Sequence, residues 1–117
     1  MCIAFFYLNP SPKAGEYKLI LIMNRDEAFG RPTEPAGWKD GVLCGRDRFV
    51  GKEGGTWLAV NKSGRVGLLT NILTAEPPED AEGRGYLVID YVNGEISPDE
   101  YLRELAASPV VYSPFNL

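Results

Sequence analysis

Two unbroken apolar runs open the chain, and each stops abruptly at a polar or turn-forming cluster. The first, Ile3-Ala4-Phe5-Phe6-Tyr7-Leu8, ends at Asn9-Pro10-Ser11-Pro12. The second, Tyr17-Lys18-Leu19-Ile20-Leu21-Ile22-Met23, ends at Asn24-Arg25-Asp26-Glu27. Runs of this length with this aromatic and β-branched content predict buried strands rather than helices. The short, turn-rich link between them predicts an antiparallel hairpin. Residues 31–41 are rich in Pro and Gly and read as a loop carrying Trp38. Residues 42–45 read as a short strand, and the polar, glycine-rich stretch 46–55 as a turn. That turn lacks the spacing of a phosphate-binding loop. Residues 56–60 and 65–70 form two further strands about the turn Asn61-Lys62-Ser63-Gly64.

Beyond Asn71 the pattern changes. Residues 74–85 are acidic, contain Pro77-Pro78 and read as a surface loop. Leu87, Val88, Tyr91 and Val92 fall at helical spacing and end at Gly94, although their β-branched content leaves a strand open. Ser97-Pro98-Asp99-Glu100 is a capping box with proline at the first helical position. Tyr101, Leu102 and Leu105 give that helix its apolar face, and Ser108-Pro109 stops it. The two helices are expected to cover one face of the sheet, and residues 112–117 to begin another strand. The class is therefore α+β, with antiparallel sheets layered against helices.

Composition narrows the function. A chain of 117 residues is one domain's worth and can bury one core. Its 12 basic and 16 acidic residues are well mixed, with no basic stripe for nucleic acid. Neither apolar run is long enough to cross a bilayer, and no positive segment precedes the first as in a signal peptide. Two cysteines, Cys2 and Cys44, cannot build a four-thiolate zinc site, and such low usage fits a reducing compartment.

No histidine occurs anywhere. Ser-His-Asp and Cys-His chemistry are thereby excluded, and so are histidine-bearing zinc sites. Cys2 follows Met1 directly. Removal of Met1 would leave a thiol and a free α-amine on one residue, and the amine, with an ordinary pKa of about 7.7–8.0, can take the place of the missing histidine as base. The alternative is that Cys2 is a small apolar residue starting a buried strand. The polar cluster after Met23 has two readings as well: a solvated strand end, or a site at the rim of a sheet.

These elements resemble, in order and at matching spacing, the N-terminal part of the transport and Golgi organisation protein 2 family, also called NRDE. The resemblance rests on Met1-Cys2-Ile3, on Asn24-Arg25-Asp26-Glu27 with Arg31-Pro32, and on Gly51-Lys52-Glu53-Gly54-Gly55-Thr56-Trp57-Leu58. It continues through Gly64-Arg65, Leu69-Thr70-Asn71, Gly83-Arg84-Gly85 and Phe115-Asn116-Leu117. Family members run well beyond this length, so the resemblance implies that residues 1–117 are the N-terminal portion of one domain whose C-terminal half is absent.

That family is similar in turn to the N-terminal-nucleophile hydrolases of the choloylglycine hydrolase branch. The resemblance implies a four-layer αββα sandwich, here partial. It implies Cys2 as nucleophile, Asp26 beside it and Asn71 as oxyanion donor. Met23 stands where those hydrolases carry an arginine; Arg25, two positions on and on the same strand face, takes the cation's place in the set Cys2, Arg25, Asp26 and Asn71. Two functions follow from the resemblance. One is a cytoplasmic factor, Golgi-associated or mitochondrial, in Golgi organisation, secretory transport and lipid, acyl-CoA or haem homeostasis. The other is an amidohydrolase or acyltransferase using Cys2. Ligands implied are acyl-CoA, lipid or haem, the last bound transiently since no histidine can ligate it; no resident cofactor or metal is implied. A partner protein or self-association is expected if the chain exposes a sheet face.

Overall fold

The computed structural model describes residues 2–73 and 80–117. Met1 and residues 74–79, the Pro77-Pro78 half of the acidic stretch, lie outside the described residues. The described residues are mixed α and β, with antiparallel sheets and two helices.

The centre of the molecule is a four-stranded antiparallel sheet in the order β3-β4-β5-β6, formed by Thr33–Lys39, Val42–Asp47, Leu58–Asn61 and Val66–Leu68. Strand side chains alternate between faces. Val42, Cys44, Ala59 and Gly67 therefore point one way, and Leu43, Leu58, Val60 and Val66 the other. The first face receives helix α1, Gly85–Asn93. Val88 and Val92, one helical turn apart, are both 0% exposed and seat with Leu87 on Val42, Cys44 and Ala59. Each such side chain contributes about 1.5–3 kcal/mol on full burial. Gly67 makes the close approach possible, because a Cβ there would stand 3.2 Å from Val88.

The sheet's other face looks across an apolar cleft of about 510 Å³ to a separate ribbon. That ribbon is β1, Ile3–Leu8, paired antiparallel with β2, Leu19–Asn24. The expected hairpin is present, with β2 shifted two residues later than its apolar run begins. The expected burial is not. Phe5 is 63% exposed and Phe6, on the opposite face of the ribbon, 72%; Ile20 and Ile22 are exposed as well. Cross-strand partners share a face, so Phe5 with Ile22 and Tyr7 with Ile20 line the outer side. Leu19 and Leu21 turn inward to the cleft. A continuous apolar run shows that both faces of a strand are non-polar; what covers them is a tertiary matter.

Two further expectations are corrected. Residues 33–39, read as loop, form β3. Proline is tolerated there because β3 is an edge strand, and the register shifts between Glu34 and Gly37, around Pro35. Helix α2, Pro98–Ala107, has no buried residue and does not cover the sheet. It leans on α1: Tyr101 Oη donates to the Leu87 carbonyl at 2.8 Å, and its ring lies 5.4 Å from that of Tyr91. Burial, aided by the charges of Asp90 and Tyr112, pushes the Tyr101 hydroxyl up to about 12. The cap is as expected, Ser97 Oγ accepting from the Glu100 amide. The sequence 56–70 gives β5 and β6 about the predicted turn, where Asn61 Oδ1 accepts from Ser63 and Arg65 amides. Thr70–Asn71 (β7) then pairs with Phe115–Asn116 (β8), the strand expected at the end of the chain.

Candidate functional site

Ile3 pairs with Asn24, so the register, continued by one residue, sets Cys2 across from Arg25 at the open end of the ribbon. A polar cavity of about 280 Å³ lies there. Cys2, Arg25, Asp26 and Asn71 all line it, although they come from three separate segments of the chain. Cys2 is half-buried and its thiol is free; Cys44 is free and buried beneath α1.

Arg25 is held by two neighbours. Its guanidinium stacks 4.3 Å from the centroid of Trp57, and Nη2 lies 3.8 Å from Glu27. Arg31 reaches the same wall, bonding Asp47 at 2.6 Å and lying 3.8 Å from Glu27. Burial pushes the Asp47 carboxyl up, but the Arg31 hydrogen bond, the Phe49 amide and the Arg31 and Arg25 charges bring it below its ordinary value. Asp26 follows Arg25 into the same lining.

Two glycine-bearing loops build the floor. The turn 47–55, with Gly51 and Gly54 at positive φ, presses against the start of α1. A Cβ on Gly85 would come 3.1 Å from Gly55 Cα, and the Thr56 amide donates to the Gly85 carbonyl at 2.9 Å. Buried Thr56 ties this contact to the sheet through its hydroxyl, which donates to Gly45 O at 2.6 Å. Lys52 is thereby laid over Gly83.

Arg84, between those glycines, is the site residue that the sequence reading did not single out. Its Nε donates to Asn71 Oδ1 and its Nη1 to the Pro114 carbonyl, both at 2.8 Å. It has no carboxylate partner among the described residues. Burial pushes its guanidinium down from the ordinary value, while the charge of Cys2, which lines the same cavity, acts in the opposite sense. The available signal was a charged residue fixed between two glycines, in Gly83-Arg84-Gly85.

The cavity thus assembles a thiol, an amide, four carboxylates (Asp26, Glu27, Asp47 and Glu82) and four cations (Arg25, Arg31, Lys52 and Arg84) in a partly enclosed space. Such a set can hold a small polar head group and stabilise negative charge that develops beside the sulfur.

The family model "Transport and Golgi organisation 2" matches residues 1–117, the whole chain. The chain belongs to this family. Among its curated relatives, the Drosophila melanogaster "Transport and Golgi organization protein 2" is 47% identical over 126 residues, covering 99% of this chain. The Bos taurus "Transport and Golgi organization protein 2 homolog" is 40% identical and the Homo sapiens one 39%, each over 121 residues and all of this chain. The chain spans 44% of the length of each. The family motifs fall on structural joints: the two glycine-rich stretches are the paired floor loops, and Asn24-Arg25-Asp26-Glu27 is the ribbon end at Cys2. No helix among the described residues is long and apolar enough to cross a membrane.

Proposed function

We propose that this chain carries the nucleophile side of an N-terminal-nucleophile-type site that cleaves or transfers acyl groups, within a protein serving transport and Golgi organisation. The helix–sheet–ribbon layering is in keeping with part of an αββα sandwich. The single observation that carries the reading is the convergence of Cys2, Arg25, Asp26 and Asn71 on one cavity. In this reading Met1 is removed and the Cys2 α-amine takes the thiol proton. The sulfur bonds to the acyl carbon, Asn71 Nδ2 donates to the resulting oxyanion, and the leaving amine, alcohol or thiol departs with the proton. The thioester so formed is released by water as a carboxylic acid and free thiol, or passed to another acceptor. Asp26 orients the amine. One oxyanion donor is typically worth about 2.7–4 kcal/mol of barrier.

Intact mass of chain from its native host tests the first requirement: retained Met1 ends this reading. The second test treats processed chain with a p-nitrophenyl acyl ester. An acyl adduct on Cys2, absent from Cys2→Ala, is expected; release of nitrophenol at equal rates from both proteins overturns it.

A second reading is carriage of an apolar cargo, such as a lipid or acyl chain, and it draws on the cleft between ribbon and sheet. Leu19, Leu21, Leu43, Leu58, Val60 and Val66 line that cleft. Saturable binding of a fluorescent fatty acid, unchanged in Cys2→Ala and lost in Val60→Asp, is its expected signature.

A further inference from the structure

We infer that Arg84 is a positioning residue that fixes the Asn71 side-chain amide, so that its Nδ2 donates into the cavity. This rests on the acyl-transfer reading for its consequence in catalysis, but the pairing itself can be tested without any reaction.

An asparagine amide carries an acceptor at one end and a donor at the other, and it can rotate to offer either. Beside a thiol that attacks carbonyl carbon, only the donor end helps. A guanidinium has no acceptor atom, so it must bond an acceptor, and an asparagine side chain offers only its oxygen. Arg84 Nε bonds Asn71 at 2.8 Å, which makes the bonded atom Oδ1 on chemical grounds alone. The NH₂ is left for the other side, and it has no acceptor among the described residues, while Asn71 lines the cavity with Cys2.

Arg84 is itself held firmly. Nη1 is anchored on the Pro114 carbonyl, which also accepts from the Ile72 amide. Asn71 is paired through its backbone with Phe115, one residue on. Arg84 is the residue before α1, and the crowding of Gly55 against Gly85 sets where that helix starts. Helix, strand pair and amide are thus locked by one side chain. Of the other cavity arginines, Arg25 is committed to Trp57 and Glu27 and Arg31 to Asp47, while Lys52 lies over Gly83. Lysine would keep the charge at this position but not the planar fork that reaches both acceptors.

Two measurements decide the matter. The first is thermal unfolding of wild type, Asn71→Asp, Arg84→Met and the double variant. Asn71→Asp keeps an oxygen toward Arg84 and adds a charge. It is expected to melt at or above wild type, and to melt below Arg84→Met once Arg84 is gone. Equal destabilisation by Asn71→Asp in both backgrounds overturns the pairing. The second is the rate of Cys2 acylation. Arg84→Lys is expected to slow it about 10-fold, and Asn71→Ala by about 100-fold or more. Adding Arg84→Lys to Asn71→Ala is expected to slow it no further, since the first acts through the second. Multiplied losses overturn the positioning role and leave Arg84 acting independently. A wild-type chain that is never acylated overturns the proposed reaction, while the melting cycle still decides the pairing.

Discussion

Arg31 closes on one oxygen of Asp47 with two donors, Nε at 3.0 Å and Nη2 at 2.6 Å, while the other oxygen accepts from the Phe49 amide. This joint fastens the segment after β2, and with it the wall holding Arg25, to the end of β4. The folded Asp47 carboxyl titrates below its ordinary value, despite the burial that opposes this. A depressed carboxyl adds stability that is present above its unfolded pKa of about 3.9 and is lost as pH falls through the lower folded value. Asp47→Asn is expected to lower stability at pH 7 by about 1–3 kcal/mol. Its urea midpoint should also fall less steeply than that of wild type below about pH 4. Parallel acid limbs for the two proteins would contradict this account.

The floor of the cavity predicts a sharp contrast between two glycines. Alanine at Gly85 would set a methyl 3.1 Å from Gly55 Cα, and backbone cannot yield as a flexible side chain does. Gly85→Ala is expected to cost about 1–3 kcal/mol. At Gly30 an added Cβ meets nothing within 4 Å, and φ is not positive, so Gly30→Ala should be neutral or slightly stabilising. Thermal melts of the two variants, side by side, check both.

Arg65 closes the far end of α1. Its Nε and Nη2 donate to the Tyr91 carbonyl at 3.1 and 3.0 Å, Nη2 reaches Ile96 O at 2.7 Å, and the guanidinium stacks on the Tyr91 ring. Lysine cannot reproduce a fork that serves two carbonyls. Arg65→Lys is expected to lose about 1–2 kcal/mol, with faster amide exchange confined to residues 90–96. Uniform acceleration across β5 as well would show that the contact acts globally instead.

The outer side of the β1–β2 ribbon, with Phe5, Tyr7, Ile20 and Ile22, should bind an environment-sensitive dye such as anilinonaphthalene sulfonate in the native state. Replacing Phe5 and Ile22 by serine is expected to remove most of that fluorescence without altering the far-ultraviolet circular dichroism. Undiminished fluorescence would move the dye's site to the cleft on the other side.

Much of this arrangement was legible in the residues, and the failures have identifiable causes. The 61–64 turn and the Ser97 cap rest on contacts within a few residues, and such local chemistry is written directly in the sequence. The ribbon was legible as strands but not in its exposure, because Phe5 or Ile22 looks the same in either environment. Strand β3 was hidden by Pro35 and Gly37, which an edge strand with a shifted register accommodates and a central one would not. Cys2 and the polar strand end at Arg25 and Asp26 were candidates on their chemistry and position alone, and the family resemblance joined Asn71 to them. Arg84 escaped because its partners lie 13 and 30 residues away, and only the folded chain brings them together.

Trp57 stands in the partition between the polar cavity and the apolar cleft, with Arg25 resting on its ring. A guest wedged into the greasy chamber would lean on that indole, and the push would be delivered to the guanidinium beside the thiol. Gly45 gives the ring its place, since an added methyl there would stand 3.0 Å from the indole. The two chambers share one aromatic wall, so a substitution at Trp57 reshapes both at once.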